Sequence, residues 1–327
     1  MQIRRLVAPL GLALALAAGV PALAQEWAPD QPVEVVVGVA PGGSMDFTAR
    51  LVHDLLVKEG LIPQASIVNN KPGGGHAVAL AYTQQHTGSP YYIQIVNTPL
   101  IANVILGRSP IKYEDFTPIA TLFEENMVFA VRADSKITDG ATLLNMLREA
   151  PDSISFSVSS GLGTVNHASV MQLAQEAGVD LTKLKTVAFD SSAEGVTATL
   201  GGHIDVVVTT ARSLLPFRES GDLRFLAVAA AERLPGAMAD VPTWRELGVN
   251  AEVAAWRGVI APADLTPEQA AFWAEAIHKI TQSDEWKKVL AEEYMVDTYR
   301  DGAATKAFFA EESEAYASMV KALGISH

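Results

Sequence analysis

The chain has 327 residues, a formal net charge of −13 and no cysteine. This acidity argues against nucleic acid and anionic lipid surfaces as partners, because both repel an acidic protein. The lack of cysteine excludes disulfide bonds and thiolate metal sites. Apolar residues make up 49% and aromatic residues 7% of the chain, a composition typical of a globular α/β protein. The length predicts two domains.

The first 24 residues have the pattern of a secretory signal peptide. Arg4 and Arg5 precede an apolar stretch over residues 6–20, and Ala22 and Ala24 supply small residues for cleavage. The apolar stretch is short for a bilayer span, so a retained anchor helix is the weaker interpretation. We expect cleavage near Ala24 and an exported mature chain.

Residues 33–52 (VEVVVGVAPGGSMDFTARLV) predict a strand, a glycine turn and a helix in succession. The β-branched run is typical of a strand buried on both faces of a parallel sheet, and Gly42 and Gly43 permit a tight turn. Ser44 is the predicted N-cap of the helix, with Asp46 in its first turn. Such a turn leaves backbone amides for an anion, although an ordinary βα turn stays open as the alternative.

The same rhythm continues along the first half of the mature chain. Strand patterns over residues 66–70 and 91–96 end in the turns KPGGGH and NTP, and a helix is predicted over residues 77–85. Alternating strands and helices predict a doubly wound sheet. In such sheets ligands bind at the carboxyl ends of the strands, where all three turns belong.

A crossing strand and a second domain follow. Residues 116–133 carry two apolar runs split by a short polar segment, Glu124 to Asn126, and residues 256–262 (WRGVIAP) are expected to cross back. Two lobes joined in this way leave a cleft that receives strand-end loops from both. The remaining predicted segments are strands over 154–158, 184–189, 204–208 and 225–230, a turn over 159–164, and helices over 165–177, 267–283, 284–293 and 302–323.

Eight motifs, in this order along the chain, resemble signatures of the tripartite tricarboxylate transporter receptors, the Bug or TctC-like family. They are VAPGGSMD (39–46), NNKPGGG (69–75), DFTPI (115–119), SSGLGTVNH (159–167), LGGHID (200–205), LRFLAV (223–228), DVPT (240–243) and WRGVIAP (256–262). Together they extend over essentially the whole mature chain. One such motif is weak, but eight in order are specific.

The resemblance implies an α/β protein with the two-lobed periplasmic-binding-protein (flytrap, type II-like) fold, each lobe a doubly wound sheet flanked by helices. It implies a periplasmic receptor that delivers a small carboxylate to a membrane permease of one large and one small integral subunit. No cofactor, metal or catalysis is implied, and we expect a monomer. The expected division is a signal peptide (1–24), lobe 1 (25–126), lobe 2 (127–255) and a return to lobe 1 (256–327).

Two departures from the family pattern concern the ligand. Val39 stands where the family often has an aromatic residue, which predicts a smaller pocket wall. Phe189, Asp190 and Ser191 stand where Tyr-Lys-Gly is common, so a basic side chain is missing from a cleft loop. These changes favour a monocarboxylate, or a ligand with an apolar or hydroxylated tail, over the usual dicarboxylates and citrate-like acids.

The family places one ligand carboxylate between a first-lobe loop, here residues 39–46, and a second-lobe loop, here residues 159–167. Backbone amides, hydroxyls and ordered waters hold the ligand there. The predicted ligand-binding residues lie in these loops or at neighbouring strand ends: Val39, Gly42, Gly43, Ser44, Asn97, Thr98, Ser159, Gly161, Gly163, Thr164, His167 and Thr209.

Four charged or titratable residues near these loops need separate interpretation. Asp46 and Asp205 are predicted to fix loops, because a carboxylate repels an anionic ligand. His167 either faces the cleft or packs in the interior, and both interpretations stay open. Arg212 is a candidate partner for a second ligand carboxylate, although an ordinary salt bridge is favoured.

Other functional classes have weaker support. The sequence SVSSG over residues 157–161 is distantly similar to a hydrolase nucleophile elbow centred on Ser159, but its first glycine is serine and no histidine follows in a suitable loop. The seven histidines show no paired metal-binding spacing, and the GLG sequence lacks the third glycine of a dinucleotide site. A solute sensor that presents its closed form to a membrane signalling partner stays open, because its fold would be the same.

Overall fold

The structure is a computed structural model that describes residues 27–159 and 164–322. The predicted signal peptide therefore lies outside the described residues. Within the described ranges the strands are β1 (Glu34–Val37), β2 (Ile67–Asn70), β3 (Tyr92–Val96), β4 (Phe116–Arg132), β5 (Ser155–Ser159), β6 (Lys185–Phe189), β7 (Val206–Thr210), β8 (Leu223–Val228), β9 (Ala254–Pro262) and β10 (Met295–Arg300).

The helices alternate with these strands, as the sequence pattern predicts. They are α1 (Ser44–Lys58), α2 (Ala77–Gln84), α3 (Pro99–Ile105), α4 (Gly140–Glu149), α5 (Val165–Glu176), α6 (Ser192–Leu200), α7 (Ala211–Glu219), α8 (Pro267–Gln282), α9 (Asp284–Glu292) and α10 (Gly302–Ala322). None of the described helices combines the length and apolarity needed to cross a membrane.

The strands form one mixed sheet in the order β2-β1-β3-β9-β4-β7-β5-β6, with β8 and β10 also paired to β4. In the first half, β1 runs parallel to both β2 and β3. In the second half, β5 runs parallel to both β6 and β7. Parallel neighbours bring their carboxyl ends to the same edge of the sheet, so the loops after these strands gather in each half.

The long strand β4 joins the two halves because it changes partners along its length. Up to Asn126 it pairs with β9, and from Met127 it pairs with β7 and β8. Both predicted crossing segments are therefore strands, and they lie side by side in antiparallel pairing. The sheet predicted for each lobe is present, and the two sheets continue into one another through β4.

Each half has its own hydrophobic core. The first half buries Trp273 and Trp286 beneath β1, β3 and the start of β4. The second half buries Trp244 against Phe129, with ring centroids 5.0 Å apart at an interplanar angle of 88°. Edge-to-face aromatic pairs add about 0.5–1.5 kcal/mol to the free energy gained by burial. Each core holds its own strand-end loops in place.

Several elements differ from the sequence-based expectations. Strand β7 lies two residues later than predicted, so Thr209 belongs to the strand and does not follow it. All five residues of this strand are buried, including the polar pair Thr209 and Thr210, which hydrophobicity alone does not identify as buried. The patterns also gave no prediction for α3, α4, α6, α7 or β10.

Candidate functional site

A small cavity lies where strand-end loops from both halves of the sheet meet. Its volume is about 30 Å³. A cavity of about 10–15 Å³ holds one water, so this one accommodates roughly two or three groups of that size, such as the oxygens of a carboxylate. The lining residues are Val39, Gly43, Ser44, Met45, Asn97, Met127, Ser159, Val165, Asn166, Ser191, Ser192, Thr209, Thr210, Ala255 and Arg257.

Four helices begin at this cavity: α1, α5, α6 and α7. The first residues of α1, α5 and α6 line it directly, as does Thr210, which precedes α7. Neither Gly43 at α1 nor Thr210 at α7 caps its helix with a side chain. The first amides of a helix have no partner within the helix and carry the positive end of the helix dipole. The cavity is therefore suited to an anion.

The first residue of α1 takes part in a buried polar cluster. The Ser44 hydroxyl donates to both carboxylate oxygens of Glu125, at 2.8 and 2.7 Å, and Arg257 donates to the same carboxylate. Glu125 is only 2% exposed and Arg257 only 3%. The guanidinium also donates to the carbonyl oxygens of Ala255 and Trp256, at 3.3 and 3.1 Å. The carboxylate is thus neutralised by a buried cation and does not repel an anion in the cavity.

This cluster corrects the predicted role of Ser44. The N-cap of α1 is Gly43, and Ser44 is the first helical residue. The hydroxyl of Ser44 is engaged with Glu125 and does not accept from a helix amide. A glycine cap leaves the first amides of α1 uncovered, which strengthens the anion site that the cap prediction would have weakened.

The second half of the sheet contributes hydroxyl and amide groups. Thr209 donates to the Ser192 hydroxyl at 2.9 Å, which joins the end of β7 to the start of α6. Asn166 at the start of α5 donates to the carbonyl oxygen of Val208 at 2.7 Å. The Thr164 hydroxyl donates to the carbonyl oxygen of Ser159 at 2.9 Å. These bonds fix the mutual positions of α5, α6 and β7 around the cavity.

The two predicted loop-fixing aspartates both accept hydrogen bonds from neighbouring segments. Asp46 accepts from the amide of Gly42 at 3.0 Å, from Asn70 at 2.8 Å, and from Arg50 at 2.9 Å. Burial alone would raise the pKa of Asp46, but these bonds outweigh burial and hold the pKa below its usual value. Asp205 accepts from the amide and hydroxyl of Ser155, at 2.9 and 2.7 Å. Neither residue lines the cavity.

The structure brings six of the predicted ligand-binding residues together around the cavity: Val39, Gly43, Ser44, Asn97, Ser159 and Thr209. Gly161 and Gly163 lie outside the described residues. Gly42, Thr98, Thr164 and His167 are described but do not line the cavity. The Gly42 amide is taken by Asp46, and Thr98 instead lines a larger neighbouring cavity of about 370 Å³ beside α5 and α10.

Burial and neighbouring groups define the surroundings of His167 and Arg212. His167 is buried in α5, and burial followed by the nearby charge of Arg108 lowers its pKa to about 4. Its imidazole is therefore neutral at physiological pH. Arg212 lies 3.8 Å from the carboxylate of Glu293 and stacks over the ring of Phe47 at 3.5 Å. It forms the ordinary salt bridge that the sequence favoured.

Sequence reasoning missed several residues of the site. Local patterns identify Glu125 only as part of a polar break between apolar runs, and Arg257 only as part of a family motif. Their juxtaposition depends on the antiparallel pairing of β4 with β9, which no local pattern shows. Ser192 and Thr210 were missed because α6 and α7 were not predicted.

Two α/β halves joined by crossing strands, with helix N-termini from both directed at one cavity, define a two-lobed periplasmic-binding-protein fold. The family model described as "Tripartite tricarboxylate transporter family receptor" matches residues 48–325. The chain therefore belongs to the tripartite tricarboxylate transporter receptor family. The family resemblance and the fold class predicted from the sequence are both confirmed.

Curated relatives and solved structures agree with this assignment. The chain is 27% identical over 334 residues to the UPF0065 protein in gbd 5'region of Cupriavidus necator, covering 100% of this chain and 99% of the relative. It is 25% identical over 331 residues to BugT of Bordetella pertussis, with 99% of each covered. MatC from Rhodopseudomonas palustris with bound malate has a TM-score of 0.78 at 25% identity, covering 89% and 99%. The periplasmic binding protein BugD has a TM-score of 0.82 at 22% identity, covering 91% and 99%.

These comparisons decide the broad functional class. The family and its structural neighbours are solute-binding receptors and not enzymes, so the receptor prediction is confirmed. Members of the family are periplasmic binding proteins. Among the described residues, no group of three histidine, aspartate or glutamate side chains is placed to hold a metal ion.

Proposed function

We propose that this protein is an exported, monomeric receptor that captures a small carboxylate in the cavity between its lobes and delivers it to a membrane permease. The permease is of the tripartite tricarboxylate type, with one large and one small integral subunit. The signal peptide is removed near Ala24. Lobe 2 comprises residues 127–255, and lobe 1 comprises residues 25–126 and 256–327, with β4 and β9 as the connecting strands.

The convergence of four helix N-termini on one small cavity carries this proposal. A carboxylate placed there accepts hydrogen bonds from backbone amides and meets the positive ends of several helix dipoles. The nearby acid, Glu125, is already paired with Arg257 and Ser44. The cavity volume of about 30 Å³ matches one carboxylate group, and the rest of the ligand extends along the cleft.

The bound malate of MatC supports a carboxylate ligand, because MatC is 25% identical to this chain over most of its length. In our proposal the contacts on the first lobe come from Val39, Gly43, Ser44 and Asn97, and those on the second lobe come from Ser159 and Thr209, all of which line the cavity. Thr164 acts through Ser159, whose carbonyl oxygen accepts from the Thr164 hydroxyl. Asp46 and Asp205 hold the two sides of the cleft in shape. The ligand favours the closed arrangement of the lobes.

The second-lobe loop is tested by two substitutions. We expect Ser159→Ala and Thr164→Ala each to weaken carboxylate binding by about 1–3 kcal/mol, because the first removes a proposed ligand contact and the second removes the hydroxyl that holds the carbonyl oxygen of Ser159. Thr164→Ser, which keeps the hydroxyl, restores most of the affinity. Isothermal titration calorimetry against the carboxylate that binds the parent protein measures these differences.

Ser153→Ala is the matched control, because Ser153 is exposed and its hydroxyl bonds only to the local carbonyl oxygen of Ala150. It should bind like the parent. Circular dichroism of each variant without ligand checks that the fold survives. Parent-like affinity in both Ser159→Ala and Thr164→Ala would show that this loop is not part of the binding site.

A further inference from the structure

A second cavity lies next to the proposed carboxylate site. Its volume is about 100 Å³. Consecutive residues line the two cavities at two places in the chain. Gly38 lines the second cavity and Val39 the first, and Asp190 lines the second cavity and Ser191 the first. The lining residues of the second cavity are Gly38, Gly73, Gly75, His76, Ala188, Phe189 and Asp190. The second cavity therefore adjoins the first.

Glycine at position 38 leaves room for the histidine that forms one wall of this second cavity. A Cβ atom at Gly38 would lie 2.8 Å from the Cβ atom of His76, closer than real contacts allow. His76 itself has a left-handed backbone with φ of 74° and is only 3% exposed. The wall therefore has a fixed shape, set by backbone conformation and close packing.

The charge of this second cavity differs from that expected of a dicarboxylate site. Asp190, an exposed residue, is the one charged side chain among the described lining residues, which include neither lysine nor arginine. A further acid is close by, since the Asp190 amide donates to the Glu194 carboxylate at 3.2 Å. Like charges disfavour the ionised form of a second ligand carboxylate. Dicarboxylates are therefore poorly matched to this pair of cavities.

His76 does not offset this negative charge. Burial, followed by the nearby positive charge of Arg257, lowers its pKa to about 4, so the imidazole is neutral at physiological pH. The Nε2 atom of His76 has no hydrogen-bond partner among the described residues. Nε2 of His76 is buried, whereas the Asp190 carboxylate accepts hydrogen bonds from uncharged or positively charged donors.

We propose that the second cavity holds the far end of the ligand and that this end carries a hydrogen-bond donor, either a hydroxyl or an ammonium group. This inference rests on the proposed carboxylate receptor. Asp190 accepts from the donor, while the first cavity holds the carboxylate. The ligand is then a short monocarboxylic acid with a hydroxyl or amino group near its other end, and Asp190 is the residue that determines specificity.

Four acids with the same five-carbon chain test this proposal: pentanoate, 5-hydroxypentanoate, 5-aminopentanoate and glutarate. Calorimetric titration of the parent protein should give at least tenfold tighter binding for the hydroxy or the amino acid than for either pentanoate or glutarate. Which of the two binds tighter identifies the donor. The same four end groups on four- and six-carbon chains fix the length of the ligand.

Substitutions at Asp190 assign the effect to this residue. Asp190→Asn keeps an acceptor oxygen but loses the charge, so we expect the amino acid to lose about tenfold in affinity and the hydroxy acid only a few-fold. Asp190→Lys should bind glutarate at least tenfold tighter than the parent does. Asp152→Asn is the control, because Asp152 is an exposed acid of the second half that lines neither cavity.

The outcomes separate this inference from the proposed function. Tightest parent binding of glutarate, unchanged in Asp190→Asn, would overturn the inference and leave the carboxylate receptor intact. Equal affinity for pentanoate and its hydroxy and amino derivatives would also overturn it. Failure of every acid at every chain length to bind would contradict both the inference and the proposed function.

Discussion

At the scale of single residues, the buried side chains of Ser44, Glu125 and Arg257 connect three elements of the fold. Arg257 enters from β9 and Glu125 from β4, the two strands that connect the halves of the sheet, while Ser44 begins α1. Buried ions are costly unless they are paired and hydrogen-bonded. Here the carboxylate accepts from both partners, while Nε of Arg257 is buried without a hydrogen-bond partner among the described residues. The cluster thereby fixes the start of α1, which lies in the loop over residues 39–46, against the connecting strands β4 and β9.

We expect Glu125→Ala to reduce the free energy of unfolding by about 3–5 kcal/mol, because it leaves the buried guanidinium of Arg257 without its counter-ion. Urea unfolding of parent and variant measures this difference. Glu292→Ala is the control: its ion pair with Lys288 is exposed, with side chains 61% and 71% accessible, so we expect a loss below about 1 kcal/mol. Equal losses in the two variants would contradict the structural role of the buried cluster.

For single residues, the sequence predicts which side chains lie at the site better than it predicts which distant side chains they pair with. The glycines, hydroxyls and Asn97 at strand ends were identified because their positions follow from local patterns, and the structure places six of the predicted residues around one cavity. Glu125 and Arg257 were not identified as a pair, since 132 residues separate them and only strand register brings them together. The assignment of Ser44 as an N-cap was wrong because its hydroxyl has a stronger, charged partner.

At the scale of secondary-structure elements, the N-termini of helices form much of the cavity wall. The long helices α1 and α5 were predicted because apolar residues recur over several turns. The nine-residue helices α6 and α7 follow closely after strands and were missed, although Ser192 at the start of α6 and Thr210 just before α7 line the cavity. Short helices carry few turns and so give a weak periodic pattern, and Ser192 and Thr210 could therefore not be predicted as part of the cavity wall.

Helix α7 also reaches across the cleft. Its Arg212 stacks on Phe47 of α1 and pairs with Glu293 at the end of α9, and both partners belong to the other proposed lobe. If these contacts stabilise the closed arrangement, their removal weakens ligand binding by the free energy they contribute, about 1 kcal/mol. We therefore expect Arg212→Met to lower carboxylate affinity about fivefold in calorimetric titration.

Arg218→Met provides a matched control on the same helix. Arg218 makes the same two kinds of contact, with the ring of Phe225 at 5.0 Å and with the carboxylate of Asp240, but both partners lie within the proposed second lobe. It should lower stability without lowering affinity. An equal loss of affinity in both variants, or no loss in either, would argue against a contact that holds the lobes together.

At the scale of the whole molecule, the division into two halves with a cavity between them results from one topological feature: β4 and β9 both pass from one half to the other. Each half has its own core, and the connecting strands leave the strand-end loops of the two halves at one cavity. The sequence predicted this architecture because the strand–turn–helix pattern starts twice and an apolar segment crosses each way. It could not show that β4 makes the two sheets continuous, because that depends on pairing between distant strands.

The central claim is that the mature protein binds a small carboxylate where its helix N-termini converge. Its most direct test is a thermal-shift screen of the mature protein against monocarboxylates, dicarboxylates, tricarboxylates, aromatic acids, amino acids, and hydroxy and keto acids. A ligand at 100 times its dissociation constant stabilises the folded state by about 2.7 kcal/mol, enough to raise the melting temperature by several degrees. We predict such a shift for one chemical group of carboxylates. No shift with any carboxylate, while the protein unfolds cooperatively, would contradict the account.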